Sequence, residues 1–162
     1  MAEKFPSQFE LISQEIQRMH EEDQAMRKRA LHNEGVIEDR DDEIDTKNTE
    51  RMKEIVRQMG WPTISKVGAE ASQMAWLLVQ HADHDVVFQK QCLELMKAQP
   101  KHEVSRIDIA YLEDRVRINE GRPQLYGTQF GGEGDNYSPK PIEDPNNVDM
   151  RRRELGMETL EE

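Results

Sequence analysis

The chain has 162 residues, of which 35% are hydrophobic and 34% are charged, and its formal net charge is -11. This length is enough for one domain with a modest core. A chain this acidic is repelled by nucleic-acid phosphates and by anionic membrane surfaces, so we expect neither as a partner.

The single cysteine and the lack of long apolar runs limit the kinds of site and the cellular location that we expect. Cys92 is the only cysteine, which excludes an internal disulfide and a zinc site built from cysteines. No apolar run approaches the roughly 18 residues that span a bilayer, and the first residues lack the apolar segment of a signal peptide. We therefore expect a cytoplasmic protein.

The first predicted helix covers residues 7 to about 32. Ser7 and Glu10 are three residues apart and match a capping box at its start. Asp23 lies four residues after Met19 on the apolar stripe, so we expect its carboxylate to face the core. The other inward positions recur at helical spacing, and the whole apolar set is Phe9, Ile12, Ile16, Met19, Met26 and Ala30.

The second predicted helix covers residues 41 to about 59, after a break at residues 33–35. The charged stretch 38–45 is typical of a solvated helix start, where acidic residues are favoured. The alternative, a calcium-binding loop, does not fit because it needs a glycine and a final glutamate at other spacings. Asn48 lies on the apolar stripe, which is otherwise formed by Ile44, Met52, Ile55 and Met59.

The third predicted helix covers residues 65 to 81. Its centre, residues 74–79, is apolar on all faces, which predicts the central and most buried helix. His81 lies three residues after Leu78 and four after Leu77. The histidine is therefore expected to continue the buried face.

Two further helices complete the predicted bundle. The fourth follows an N-cap at residues 83–85 and ends near residue 98, with an inward face formed by Val87, Phe88, Cys92, Leu95 and Met96. The fifth begins near residue 104 and carries Ile107, Ala110, Tyr111 and Ile118 on one face. Asp114 lies on that same face, seven residues after Ile107 and four before Ile118.

The chain after Gly121 loses helical periodicity. Residues 131–145 are typical of an irregular surface segment, and a short last helix is predicted over residues 144–155 with Gly156 as its C-cap. Short strand pieces are expected near residues 124–130 and 140–142. The predicted fold is an all-α, single-domain bundle of about five main helices over residues 1–162, with residues 131–162 as an extended tail.

Several motifs resemble a bacterial domain family of unknown function. They are GWPTISKVG (60–68), LLVQHAD (77–83), AYLEDRV (110–116) and GRPQLYGTQF (121–130), together with EDQAMR in the first helix and PIEDPNNVDMRRRELGM in the tail. The resemblance implies no established activity. It implies that nine polar residues belong to the family motifs: Asp23, Gln24, Arg27, His81, Asp114, Arg115, Gln124, Tyr126 and Gln129.

Four polar residues from four predicted helices lie in phase with apolar neighbours: Asp23, Asn48, His81 and Asp114. A buried charge costs several kcal/mol unless it is paired and hydrogen-bonded. We therefore expect these groups to converge in one cavity, with Arg27 and Arg115 as partners. The structural alternative is a buried polar network that only fixes the helix register.

The residue types favour a small-molecule site near the loop at residues 124–129. His81 paired with Asp114 or Asp23 would form a general base that a carboxylate orients. No nucleophile motif is present, so proton transfer or activation of water is favoured over covalent catalysis. The residues expected to hold a small polar or anionic ligand are Gln24, Arg27, Arg115, Gln124, Tyr126 and Gln129.

Neither a metal nor a cofactor is expected. HADHD at residues 81–85 offers two histidines and two aspartates, but no other ligands follow at the spacing of a helical metal site. The basic run at residues 150–154 is interpreted as a solvated helix face or a patch that pairs with acidic residues, rather than a nucleic-acid contact.

The leading hypothesis is a small-molecule-binding protein or hydrolase-like enzyme with a polar pocket at one end of the bundle. The alternative is an acidic protein-protein interaction module or homo-oligomer, which should expose an apolar patch.

Overall fold

Helices account for most of the structure. It is a computed structural model that describes residues 5–32 and 42–160, and for His32 it describes the backbone alone. The predominance of helices confirms the predicted all-α class. The chain divides into two compact units, Met1–His84 and Asp85–Glu162, which we call the N-terminal and the C-terminal unit. The single-domain organisation over residues 1–162 stays a prediction, as does the helix end at residues 33–35, which lies outside the described residues.

The described part of the N-terminal unit contains four helices. They are α1 (Gln8–His32), α2 (Asp42–Met59), α3 (Ile64–Val67) and α4 (Ala69–Gln80). Helix α4 packs against each of the other three, and the small buried side chains of Ala71 and Ala75 allow this close approach. The core between these helices is aliphatic and methionine-rich: Ile12, Ile16, Met26, Met52, Ile55 and Val79 are all buried.

Helix α1 begins with the predicted capping box. The Ser7 amide donates to Glu10 Oε2 at 2.5 Å, and the Glu10 amide donates to Ser7 Oγ at 3.2 Å. Phe9 was predicted to face the core, but its side chain is 42% exposed. The prediction is wrong because Phe9 lies in the first turn, before the buried stripe begins at Ile12. Three other residues predicted to face inward are only half-buried: Ala30, Ile44 and Met59.

The predicted third helix is two helices in the structure. Gly68 separates α3 from α4 and has a φ of 89° and a ψ of 158°, outside the helical region. A continuous helix over residues 65–81 is therefore wrong, because the backbone turns at this glycine. The carbonyl of Gly68 then accepts from the amide of Ser72 at 3.0 Å, which starts α4. Helix α4 ends at Gln80, and His81 is its C-cap residue.

The C-terminal unit contains α5 (Val86–Lys97), α6 (Arg106–Asn119) and α7 (Val148–Glu154). Helix α5 packs against α6. Asp85 caps α5 by accepting from the amide of Phe88, which confirms an N-cap at residues 83–85. Ser105 caps α6 in the same way, by accepting from the amide of Asp108.

Two residues predicted to be inward in this unit are exposed. Val87 is 82% exposed and Ile107 is 38% exposed. Both predictions are wrong. Val87 lies beside the buried stripe of α5, which contains Phe88, Cys92, Leu93 and Met96. Helix α6 is covered on opposite sides, because its buried residues are two positions apart, and Ile107 lies outside the covered part: the buried residues are Asp108, Ala110, Leu112, Asp114 and Val116.

The segment after α6 is irregular and contains the only sheet in the described residues. Strand β1 (Phe130–Gly131) pairs antiparallel with β2 (Ser138–Pro139), and a parallel bridge joins Gln124 to Ile142. The short strands therefore lie close to the predicted pieces. Single 3-10 turns at Gly134–Asn136 and Pro145–Asn147 lead to β2 and to α7 respectively. None of the described helices has the length and apolar character to cross a membrane.

Candidate functional site

A polar cluster in the N-terminal unit joins α1 to the end of α4. Asp23 on α1 is 1% exposed, and its Oδ1 and Oδ2 atoms lie 3.0 and 3.1 Å from His81 Nδ1. Arg27, one turn later, donates from Nε to Asp23 Oδ1 at 3.1 Å. Gln24 donates from Nε2 to Asp23 Oδ2 at 2.8 Å. We call these four residues the Asp23–His81 cluster.

The position of the imidazole proton follows from these contacts. His81 Nδ1 also lies 2.9 Å from Arg27 Nε, but one nitrogen cannot accept from Arg27 and donate to Asp23 at once. Because Nδ1 faces both carboxylate oxygens, a proton on Nδ1 turns two repulsive contacts into attractive ones. Arg27 Nε–H is then donated to Asp23 Oδ1. His81 Nε2 is left as the acceptor, without a hydrogen-bond partner among residues 5–32 and 42–160, and its side chain is 18% exposed.

Asp23 stays ionised because of its partners in this cluster. Burial raises the pKa of Asp23, but the hydrogen bonds and electrostatic interactions with His81 and Arg27 outweigh burial and lower that pKa to about 2. Arg27 Nη2 also lies 2.7 Å from Asp45 Oδ1. Two carboxylates therefore hold the guanidinium of Arg27, which fixes Asp23 in place. The expected role of Arg27 in ligand binding stays a prediction.

Asp45 is the member of this network that the sequence interpretation missed. It is 7% exposed and shares a buried face of α2 with Asn48, Thr49 and Met52. These positions are spaced three, four and seven residues from Asp45. The same helical spacing that identified Asn48 could therefore have found Asp45. Asn48 is buried as predicted, but its side chain is not part of the Asp23–His81 cluster.

Asp114 organises a loop in the C-terminal unit. Its side chain is fully buried and accepts from the amides of Leu125 at 2.7 Å, Tyr126 at 3.1 Å and Thr128 at 3.1 Å. The Thr128 hydroxyl donates to it at 2.8 Å. Four donors thus supply the hydrogen bonds that a buried carboxylate requires. We call residues 124–129 the Asp114 loop.

Three residues that were predicted to bind a ligand form hydrogen bonds in or to this loop. Gln124 is fully buried and donates from Nε2 to the carbonyls of Gln129 and Lys140 at 2.8 and 2.9 Å, while its Oε1 accepts from the Gln129 amide at 2.8 Å. Arg115 donates from Nη1 to Gln129 Oε1 at 2.9 Å. These polar groups hold the loop in shape.

Helix α7 supplies two arginines that the sequence interpretation treated as solvated. Arg151 Nε donates to the carbonyl of Leu125 at 2.8 Å, and Arg152 Nη1 donates to the carbonyl of Tyr126 at 2.7 Å. The basic run is therefore a second clamp on the Asp114 loop. Sequence spacing gave no sign of this role, since the acceptors are main-chain carbonyls 26 positions away.

A groove of about 670 Å³ opens in the C-terminal unit beside Tyr126. Val104 and Ala110 are buried in its floor, and Leu125 adds a half-buried apolar side chain. Its charged lining contains one carboxylate and four cations: Glu113, Lys97, Lys101, Arg106 and Arg117. We call it the basic groove, because its lining is cationic although the whole chain carries a net charge of -11.

The single carboxylate of the basic groove is neutralised. Glu113 forms ion pairs with Lys97 and with Arg117, the latter at 2.9 Å. Burial raises the pKa of Glu113, but hydrogen bonds from these two cations outweigh it, and the net shift is downward. Lys101 and Arg106 have no ion-pair partner within the described residues. They give the groove its excess of positive charge.

Tyr126 lines the basic groove and carries a phenol group. Burial, and then the charges of Glu113 and Asp114, raise the pKa of this phenol, while Arg106 and Arg151 partly oppose the shift. The hydroxyl therefore stays protonated at neutral pH and can donate a hydrogen bond. Of the loop residues expected to bind a ligand, Tyr126 is the one that lines the groove.

The described residues contain no cluster of metal-binding side chains. In residues 5–32 and 42–160, no three His, Cys, Asp or Glu side chains are grouped so that they could hold a metal ion. The expectation of no metal and no cofactor stays a prediction.

Asp23 and His81 meet in the N-terminal unit, whereas Asp114 holds its loop in the C-terminal unit. The meeting of all three in one cavity stays a prediction as well.

Comparison with known proteins places the chain in a family. The family described as "Family of unknown function (DUF6624)" matches residues 10–162. No curated protein and no solved structure gives a significant match. The family match spans nearly the whole chain and confirms the resemblance to a family of unknown function. The chain therefore belongs to the family of unknown function DUF6624.

Proposed function

We propose that this protein binds a small anionic molecule in the basic groove. The observation that carries the proposal is the excess of cations around one cavity in an acidic chain. Lys97 and Arg117 are paired with Glu113, and also with Glu94 and Glu143 outside the lining, so Lys101 and Arg106 remain for a ligand. A cleft lined by charges of one sign raises the local concentration of a ligand of the opposite sign.

The shape and lining of the basic groove suit a carboxylate or phosphate group on a compact apolar body. Its volume of about 670 Å³ lies in the range of small-molecule sites. Arg106 can form two parallel hydrogen bonds to either anion. The Tyr126 hydroxyl can add a third donor. Val104 and Leu125 would contact the apolar part of the ligand.

The Asp114 loop supports this proposal by fixing one wall of the groove. Tyr126 and Leu125 line the cavity through their side chains, while their amides are bonded to Asp114. Arg151 and Arg152 hold the carbonyls of the same two residues. A site whose walls are already held in place loses less entropy when a ligand binds.

Ligand-dependent thermal stability and calorimetry test the proposal. The probes are benzoate, hexanoate and phenyl phosphate, with benzamide and hexanamide as neutral counterparts. We expect at least one anion to bind and raise the melting temperature while the amides do not. Comparing the affinities of benzoate and hexanoate with that of phenyl phosphate shows whether the groove prefers a carboxylate or a phosphate. Arg106→Ala should weaken binding by about tenfold or more, the effect of losing roughly one charged hydrogen bond.

Arg153→Ala provides the matched control, because Arg153 is an exposed arginine of α7 outside the groove. It should bind the anion like the unchanged protein. Equal binding of the amides would contradict the proposal, as would equal losses in the Arg106→Ala and Arg153→Ala variants.

The geometry of Asp23 and His81 favours a second candidate function, a hydrolase-like reaction with His81 as general base. Asp23 holds Nδ1, and Nε2 is available to take a proton from a water molecule that attacks a substrate. Asp23 would stabilise the imidazolium that forms. No covalent intermediate is needed. The proposal also includes that the protein is bacterial and is located in the cytoplasm.

Turnover of p-nitrophenyl acetate and p-nitrophenyl phosphate tests the second candidate. We expect His81→Ala to lower the rate roughly 100- to 10,000-fold, the usual contribution of a general base. His84→Ala is the control, since His84 is exposed and lies three residues further on. If the unchanged protein turns over neither substrate, the proposal that His81 acts as a general base is contradicted.

A further inference from the structure

A second groove, of about 420 Å³, lies in the N-terminal unit between α1 and α2. Met19 and Asn48 form its floor and are 8% and 3% exposed. The Nδ2 atom of Asn48 is buried and has no hydrogen-bond partner within the described residues. Buried side-chain amides are nearly always hydrogen-bonded. The orphaned N–H₂ donor therefore points to an acceptor supplied by another molecule.

Two cations of the groove lining are loosely held. Arg18 forms no hydrogen bond or ion pair with the described residues, although its charge helps to lower the pKa of Glu15. Lys47 has a single partner, Glu22, at 3.9 Å, and the two side chains are 74% and 57% exposed. Such exposed pairs contribute little, so a ligand can replace them at small cost. With the Asn48 amide they provide three donors for a carboxylate.

Another part of the groove lining is fixed by hydrogen bonds. Arg51 holds Glu15 through two hydrogen bonds of 2.6 and 2.8 Å and reaches Glu54 at 2.6 Å. The pKa of Glu15 is lowered, chiefly by the hydrogen bond from Arg51. This network forms a rigid part of the wall, whereas Arg18, Lys47 and Asn48 can exchange their partners for a ligand.

The charge of the lining distinguishes this groove from the basic groove. Its lining residues include four carboxylates and three cations: Glu15, Glu22, Glu50, Glu54, Arg18, Lys47 and Arg51. A simple anion would meet more negative than positive charge. A ligand that carries both signs can place its carboxylate on Asn48 and Arg18 and its ammonium on Glu22.

We infer that the groove between α1 and α2 binds an α-amino acid or a dipeptide in its zwitterionic form. The carboxylate accepts from Asn48 Nδ2, and the exposed Glu22 carboxylate accepts from the ammonium group. The volume of about 420 Å³ leaves room for a side chain over Met19. The site uses none of the residues proposed above for anion binding or for general-base catalysis.

Proton–nitrogen NMR titration of the full chain tests this inference. The probes are alanine, leucine and alanyl-alanine, with acetate and methylamine as half-ligands that carry one charge each. We expect at least one zwitterion to shift the side-chain amide resonances of Asn48 and the backbone resonances of α1 and α2 at millimolar concentration. Acetate and methylamine should each bind at least tenfold more weakly.

Two variants and a control complete the test. Asn48→Leu removes the amide at similar volume, and Arg18→Ala changes only an exposed side chain, so it remains informative if the first variant does not fold. Each should weaken zwitterion binding about tenfold, whereas Arg57→Ala, an exposed arginine of α2 outside the groove, should not. Unmoved Asn48 resonances with every zwitterion would overturn the inference. Unchanged affinity in Arg18→Ala, or acetate binding as tightly as alanine, would do the same.

Discussion

The buried carboxylate of Asp114 accepts a hydrogen bond of 2.7 Å from the backbone amide of Leu125. The amides of Tyr126 and Thr128 and the Thr128 hydroxyl also donate to it. Because main-chain donors cannot rotate away, the carboxylate and the loop hold each other in one conformation. Asp114 thereby positions the wall of the basic groove that contains Tyr126.

Asp114→Asn should destabilise the protein and loosen this loop. The new amide keeps one acceptor oxygen, but its N–H₂ group would face main-chain N–H donors. The expected loss is about 2–4 kcal/mol in the free energy of unfolding. Urea denaturation measures this loss, and hydrogen exchange at residues 125–128 should become faster. Asp135→Asn is the control, because Asp135 is exposed in the same unit. Equal stability of the two variants would show that the loop does not depend on Asp114.

Stability should fall in acid partly because of Asp23. Its pKa is about 2 in the folded protein, below the ordinary value of 3.8, so its contribution is fully present above pH 4 and is lost as pH falls toward 2. A shift of this size corresponds to about 2 kcal/mol. Chemical denaturation at a series of pH values should show a shallower acid loss in Asp23→Asn than in the unchanged protein. Parallel pH profiles for the two proteins would contradict this prediction.

Asp108 should have the opposite effect on the pH profile. It is 7% exposed, and burial raises its pKa to about 6, although the hydrogen bond with Ser105 partly opposes the shift. The folded protein therefore holds this proton more tightly than the unfolded chain. The favourable contribution of the protonated group is fully present below pH 4 and is lost as pH rises through about 6.

Asp108→Asn should consequently gain stability relative to the unchanged protein as pH rises from 4 to 8. The gain should be on the order of 2 kcal/mol, because the amide does not ionise. Urea denaturation at both pH values measures it. A difference between the two proteins that stays constant from pH 4 to pH 8 would show that Asp108 titrates normally.

A side chain at Gly127 should lower the stability of the protein. Its φ is 68°, and an added Cβ would lie 2.9 Å from Leu160 Cδ1. Gly121 has a similar φ of 73° but no heavy atom within 4 Å of the same position. Gly127→Ala combines backbone strain with a clash, whereas Gly121→Ala carries the strain alone. We expect the first variant to be less stable than the second by about 1–3 kcal/mol, measured by urea denaturation. Equal stabilities would mean that Leu160 moves aside freely.

Helical spacing predicted the burial of three of the four polar residues, whereas His81, the fourth, is half-buried. Asp23, Asn48 and Asp114 are 1%, 3% and 0% exposed, as expected from their phase. Val87 and Ile107 share that kind of spacing and are exposed. Spacing indicates which residues share a face, but an apolar side chain becomes buried only where another element covers it.

The amino-acid sequence by itself determined the helical class, the capped starts of α1 and α5 and the buried stripe that carries Asp23. These features depend on residues three or four positions apart, which the period of a helix relates directly. The tertiary structure alone decided the partners. Asp23 meets His81 across 58 positions, Arg151 holds the carbonyl of Leu125 across 26, and Gln124 bonds to the main-chain carbonyls of Gln129 and Lys140. Such hydrogen bonds require donor and acceptor atoms to be aligned in space, and the local period of a sequence contains no information about that alignment.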